Sequence, residues 1–192
     1  MTGWWNQFNG WNITTMLASN WTGISSAKLL ASGQFPQGGI KPTSDAIEGA
    51  WGNNGMWNYN YMVISRCNYF LDNIDKVDMN EEKKAEWTAE VKFLRGYAYF
   101  WLSQLFGNVP LTKSTLTFDK ANNIGQSSQE EVVNFAISEL TEAVEDLPVE
   151  RPAAERGRIE KGAALALKGR FLMAQKQWSK AANTYEQIMD LN

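Results

Sequence analysis

Histidine is absent from this chain of 192 residues, and cysteine occurs once. The first absence removes the commonest general base and the commonest metal ligand together. The second leaves Cys67 unable to form an internal disulfide or a cysteine-rich zinc site, and its place in an apolar-periodic segment predicts core packing. No run of 18 or more apolar residues exists, so no bilayer-spanning helix is expected. Basic charge is scarce as well. The formal net charge of −3 and pI of about 5.1 offer no field for nucleic acid and no polybasic membrane patch. No nucleophile is paired with a base, and Asp45 and Glu48 alone do not make the two converging carboxylates of a glycosidase. The composition therefore argues against an enzyme, and neither a cofactor nor a metal is expected.

What is present divides into two parts. Residues 1–61 hold six of the nine tryptophans (Trp4, Trp5, Trp11, Trp21, Trp51 and Trp57), nine of the fifteen glycines and eight asparagines, with only Lys28, Lys41, Asp45 and Glu48 charged. Gly33, Pro36, Gly38, Gly39 and Pro42 break any periodicity, which predicts loop. Short helices are expected near Ile13–Ala18 and Asp45–Gly49. The organisation expected is an irregular aromatic, asparagine- and glycine-rich segment over 1–55 packing on a helical scaffold over 56–192.

From Met56 the pattern turns helical. Met62, Ile64, Cys67, Asn68, Leu71 and Ile74 predict a helix over 56–76. Asn80 is a good N-cap, and Glu81 and Glu82 suit the positive end of the next helix, over 81–106. Its expected core stripe is Trp87, Val91, Leu94, Ala98, Trp101 and Leu105, flanked by Phe93, Tyr97 and Phe100. Gly107 and Pro110 stop it, and 107–127 reads as a long loop. Ser128 with Glu131 forms a capping box ahead of Val133, Ile137, Leu140, Val144 and Leu147. Two more helices are expected over 159–175 and 177–191. Trp87 and Trp101 read as core, Trp178 as packing, and Arg66, Arg95 and Arg158 as ion-pair or capping residues.

The last two helices read as a tetratricopeptide-like hairpin, with Gly169, Ala181 and Tyr185 at its small, small and aromatic positions. Lys168 stands where that repeat prefers leucine. Helices 56–76 and 81–106 form a second antiparallel pair. The fold class expected is all-α: such pairs in a superhelical scaffold, with long aromatic-rich loops.

Three segments in order resemble the SusD/RagB family. They are Tyr61–Asp75 with Ile64, Arg66, Asn68 and Leu71; Phe93-Leu94-Arg95 through Pro110-Leu111; and Glu131-Val132-Val133 through Ala163-Ala164. Gln126 and Glu139 depart from the family's more usual arginine and aspartate. The resemblance implies a non-catalytic nutrient-binding subunit that captures an oligosaccharide and passes it to a SusC-like TonB-dependent transporter. It also implies an outer-membrane, cell-surface location through an N-terminal lipid anchor absent from this chain, which then reads as a piece of a longer precursor. A protein-binding tetratricopeptide-like scaffold, or a family member that captures peptides, remains the alternative.

The ligand site expected lies in the first segment. A pyranose presents a flat patch of C–H groups that stacks on indole faces, and its hydroxyls need amide partners. Trp51, Asn53, Asn54, Trp57 and Asn58 form the densest such cluster, with Trp11, Asn12 and Trp21 as further candidates. Packing of these same tryptophans against the scaffold is the competing expectation.

Overall fold

The computed structural model describes residues 56–191. The short helices expected near 13–18 and 45–49 lie outside the described residues, as do the candidates Trp11, Asn12, Trp21, Trp51, Asn53 and Asn54.

Helix α1 spans Met56–Leu71 and is followed by a separate 3-10 turn, Ile74–Lys76. The single helix expected over 56–76 therefore breaks at Leu71. There Asn73 N–H donates to Phe70 O at 3.1 Å, an i→i+3 bond that tightens the turn. Helix α2 runs over Glu81–Phe106 as the caps dictate. Asn80 accepts from Lys83 N–H at 2.9 Å, and Gly107 closes the far end at φ +70° with its N–H on Ser103 O. Asn68 of α1 bonds Arg95 of α2, and Trp57 of α1 meets the Phe106 ring. Numbering rises on one helix as it falls on the other, so α1 and α2 are antiparallel.

Within the loop expected over 107–127, the six residues Phe118–Asn123 form a short helix, α3, started by Thr117. An isolated antiparallel bridge, Val109 N–H to Ser127 O at 3.2 Å and its reciprocal at 3.0 Å, pins the two ends of this excursion together. Helix α4, Gln129–Asp146, begins at the complete Ser128/Glu131 capping box. It runs antiparallel to α2, since Tyr99 meets Phe135, Arg95 meets Glu139 and Lys92 meets Glu142. Gly96 allows the close approach: a Cβ there would stand 3.2 Å from Leu140 Cγ. Because α2 lies on this side, the buried face of α4 is Val132, Val133, Ala136, Glu139, Leu140 and Ala143, and the expected Ile137 and Val144 are only half-buried.

Helices α5, Lys161–Ala174, and α6, Trp178–Met189, form a hairpin. Gly169 lies against the Tyr185 ring and Gly162 near Leu191, which makes this pair antiparallel too. The main core joins α1, α2, α4 and α5 through Ile64, Tyr99, Leu102, Val132, Leu140 and Phe171.

The tryptophan expectations for the helices fail in part. Trp87 is 39% exposed and Trp178 is 61% exposed, because the faces carrying them meet no other described helix closely enough to cover them. Leu94 and Tyr97, also expected in stripes, are similarly open. Trp101 is half-buried between Tyr97 and Phe100, and its indole N–H is buried without a partner.

Candidate functional site

The described part of the expected ligand cluster is the first turn of α1. Trp57 packs its ring 4.9 Å from Tyr61 and edge-on to Phe106 at 5.0 Å. It is half-buried, while Asn58 beside it is exposed. The structure thus brings Trp57 and Asn58 onto one turn, with the indole packed against Tyr61 and Phe106. Asn60 does not belong with them: it is buried, and its amide donates to Met56 O at 2.6 Å. Tyr61 holds the corner to the next loop, donating its hydroxyl to Pro110 O at 2.7 Å. Burial pushes this phenol well above the ordinary tyrosine range, so it acts as a fixed donor.

Behind the corner lies a buried polar network built on Arg95. Its Nε and Nη2 both reach Glu139 Oε2, at 2.7 and 2.6 Å, tying α2 to α4. Its Nη1 donates to Asn68 Oδ1 at 2.7 Å, tying in α1, and to Lys113 O at 3.1 Å. Asn68 then donates its amide to Ser114 O at 3.0 Å and lies 3.3 Å from Thr112 O and Oγ1. Tyr99 accepts from Thr112 N–H at 2.8 Å and donates to Thr112 O at 3.0 Å. The guanidinium and the Lys113 ammonium flank the Phe135 ring, at 5.2 and 5.0 Å from its centroid. Burial pushes the Glu139 carboxyl up and Arg95 opposes it. Burial also raises the Cys67 thiol to about 11, consistent with an inert core cysteine.

The chemistry of this arrangement is positional. Three helices converge on one guanidinium, which also grips Lys113 O, while Asn68 and Tyr99 hold the main chain of Ser114 and Thr112, so the segment leaving α2 is pinned to the helices. Arg95 was expected as an ion-pair residue and is one, but the carboxylate partner on α4 was not foreseen. The sequence singles out Glu139 only as standing where the resembled family more usually has aspartate. Of a second cluster only Arg158 was expected, as an ion-pair or capping residue, and it is one. Arg151, with its side chain 2% exposed, is gripped by Glu86, Glu90 and Glu155 and by Ile159 O. Arg158 joins it through Glu90 at 2.9 Å. No local pattern marks Arg151, since two of its three carboxylate partners, Glu86 and Glu90, come from α2, some sixty residues away.

Among the described residues, no group of histidine, cysteine and acidic side chains is placed to hold a metal ion, and no helix is long and apolar enough to cross a membrane.

Comparison with known proteins places this geometry. A SusD-like family model, described as starch-binding and associating with the outer membrane, matches residues 41–173. A SusD-like protein, P25, of Formosa agariphila is 29% identical over 134 residues, 69% of this chain and 25% of its own length. The crystal structure of a SusD-like carbohydrate-binding protein from Bacteroides fragilis is similar at 41% identity and a TM-score of 0.69, over 71% of this chain and 27% of that one. A laminarin-binding SusD-like protein is similar at 29% identity and a TM-score of 0.74, over 85% and 34%. The chain spans about a quarter of the length of the curated relatives it matches.

Proposed function

The chain belongs to the SusD-like family, described as starch-binding and associating with the outer membrane, and from that membership we propose that it is the glycan-capturing part of a cell-surface nutrient-binding subunit. The observation that carries this reading is the likeness, over 85% of the chain, to a protein that binds laminarin. The site we assign is the segment entering α1. Trp51, Asn53, Asn54, Trp57 and Asn58 supply indole faces and neutral amides, with Trp11, Asn12 and Trp21 as outlying contacts. Trp57 itself packs on Tyr61 and Phe106, and Asn58 beside it is exposed. Catalysis plays no part. The helix pairs act as a tetratricopeptide-like scaffold, with Gly169 seated under Tyr185 in the α5–α6 hairpin. The complete protein is held at the surface by a lipid anchor and docks on a SusC-like TonB-dependent transporter.

Tryptophan fluorescence titrated with laminarihexaose and maltohexaose tests the capture step. We expect saturable quenching by one of them, weakened at least tenfold in Trp51→Ala while the helical circular dichroism is retained. Trp57→Phe, which keeps an aromatic ring against Phe106, should weaken binding without a comparable loss of stability. If neither sugar gives a saturable response, glycan capture by this chain is wrong.

A further inference from the structure

A groove of about 390 Å³ lies between α4, α5 and α6, away from the α1 corner. That volume is within the ~300–1,000 Å³ of small-molecule sites. Its wall is unusual in charge. Lys168 from α5 and Lys180 from α6 both line it, together with the side-chain amides of Asn134, Gln177, Asn183 and Gln187, and no carboxylate does. The chain as a whole carries a net charge of −3, so this is a local reversal of sign.

The Thr141 and Thr184 hydroxyls in the groove donate to Ile137 O and Lys180 O, but its ammonium and amide groups are uncommitted among the described residues. Lys83, Lys84 and Lys92 each sit 2.5–2.8 Å from a glutamate, whereas neither Lys168 nor Lys180 has a carboxylate partner among the described residues. None of the four amide side chains donates or accepts a hydrogen bond among the described residues. Glu142, adjacent to Thr141 in the groove wall, is held toward α2 by Lys92. Lys168 is half-buried at a position where the helical repeat prefers leucine. No carboxylate lines the groove beside it, so ion pairing among the described residues gives this charge no rationale. An anion in the groove would supply a counter-ion. The amides add donors and acceptors for hydroxyls, and Ile137 with Leu172 gives a small apolar face for the C–H side of a ring.

We propose that this groove is a second saccharide subsite, selective for an acidic sugar bearing a carboxylate or a sulfate, in which Lys168 and Lys180 pair with the anion and the four amides hold its hydroxyls. The proposal rests on the glycan-capture reading and adds a ligand class to it.

Isothermal titration of the full chain tests it with trigalacturonate, a sulfated trisaccharide, neutral maltotriose, and sodium acetate and sodium sulfate alone. At least one acidic trisaccharide should bind tenfold or more tighter than maltotriose, and which arm responds identifies the acidic group. Lys180→Gln, at an exposed position, should remove most of that preference and leave maltotriose binding unchanged. Lys168→Gln should act alike, and if it unfolds the chain Lys180→Gln decides. Equal affinity for acidic and neutral sugars, or a preference that survives Lys180→Gln, overturns the subsite and leaves glycan capture standing. Acetate or sulfate alone binding as tightly as the trisaccharide also overturns it. Silence toward all three trisaccharides overturns the subsite, and glycan capture is then decided by the hexasaccharide titration.

Discussion

Arg95 carries three tasks with one guanidinium: it neutralises Glu139, orients Asn68 and holds the Lys113 carbonyl. With both charged side chains about 6% exposed, the pair is costly to break from one side. Removing one member of a buried ion pair typically costs about 3–5 kcal/mol, because the other charge stays behind unpaired. Arg95→Met should fall in that range at neutral pH. Its pH dependence follows from Glu139. Burial already raises that carboxyl above its ordinary 4.5, and Arg95 is the opposing influence. Without Arg95 the folded-state value climbs further, so the folded variant favours the proton. The stability tied to this group is then fully present below the unfolded value and is lost as pH rises through the raised one. The deficit of Arg95→Met against the parent chain should be small near pH 4 and widest at pH 7 and above. Urea midpoints at the two pH values read it directly; a deficit independent of pH would show that Glu139 is not the stranded charge.

At the scale of single elements, two local devices make opposite demands on their surroundings. The start of α4 is self-contained. Ser128 Oγ accepts from Glu131 N–H at 3.2 Å, and Glu131 Oε2 accepts from Ser128 N–H at 2.8 Å. That bond from Ser128 holds the Glu131 carboxyl below its ordinary 4.5. A depressed carboxyl contributes stability above its unfolded pKa and loses it as pH falls through the folded value. Helix α4 should therefore lose protection at its first turn on acidification below about 4.5, and Glu131→Gln should flatten that dependence in an amide-exchange series. The α5–α6 hairpin, in contrast, depends on its neighbour. A Cβ on Gly169 would sit 2.5 Å from Tyr185 Cζ, so Gly169→Ala must displace the ring and should destabilise by about 1–3 kcal/mol. In a Tyr185→Ala background the obstacle is gone. The same change should then stabilise by about 0.5–1 kcal/mol, the ordinary preference of a helix for alanine over glycine. A double-mutant cycle tests the change of sign. The same cost in both backgrounds would mean that Tyr185 does not set the requirement for glycine.

Across the whole described region, α2 is the member that α1, α4 and α5 share. It packs on α1 and α4, shares the main core with α5 through Phe100 and Phe171, and carries Glu86 and Glu90, which grip Arg151 and Arg158. The bounds of α2 and the start of α4 were legible because Asn80, Gly107, Ser128 and Glu131 act within a few residues of themselves. The break at Leu71 and the short α3 rest on small polar contacts, Asn73 N–H on Phe70 O and the Thr117 cap, that an apolar pattern does not register. The Arg151 cluster was hidden because Glu86 and Glu90 reach it from far away in sequence. Trp87 and Trp178 misled for the same reason: a helical stripe says which residues share a face, and only the tertiary packing says whether that face is covered. Of the ligand site, the described residues bear on Trp57 and Asn58 alone. This layout implies a ranking of local stabilities. Buried apolar contact and an internal ion pair should make α2 from Arg95 to Ser103 and α4 from Val132 to Leu140 open only with global unfolding. Helix α6 buries just Ala181 and Thr184 and is attached through one neighbour, α5, so it should open by itself at a lower free energy. Helix α3, with no buried residue and Phe118 82% exposed, should exchange fastest of all. Native-state hydrogen exchange in rising urea separates these cases. Amides of α2 and α4 should share one isotherm with the steep denaturant slope of global unfolding, and those of α6 should follow a shallower one before merging with it. If α6 instead follows the global isotherm from the start, the hairpin is part of the central core, and α5–α6 contacts hold it more firmly than its sparse burial allows.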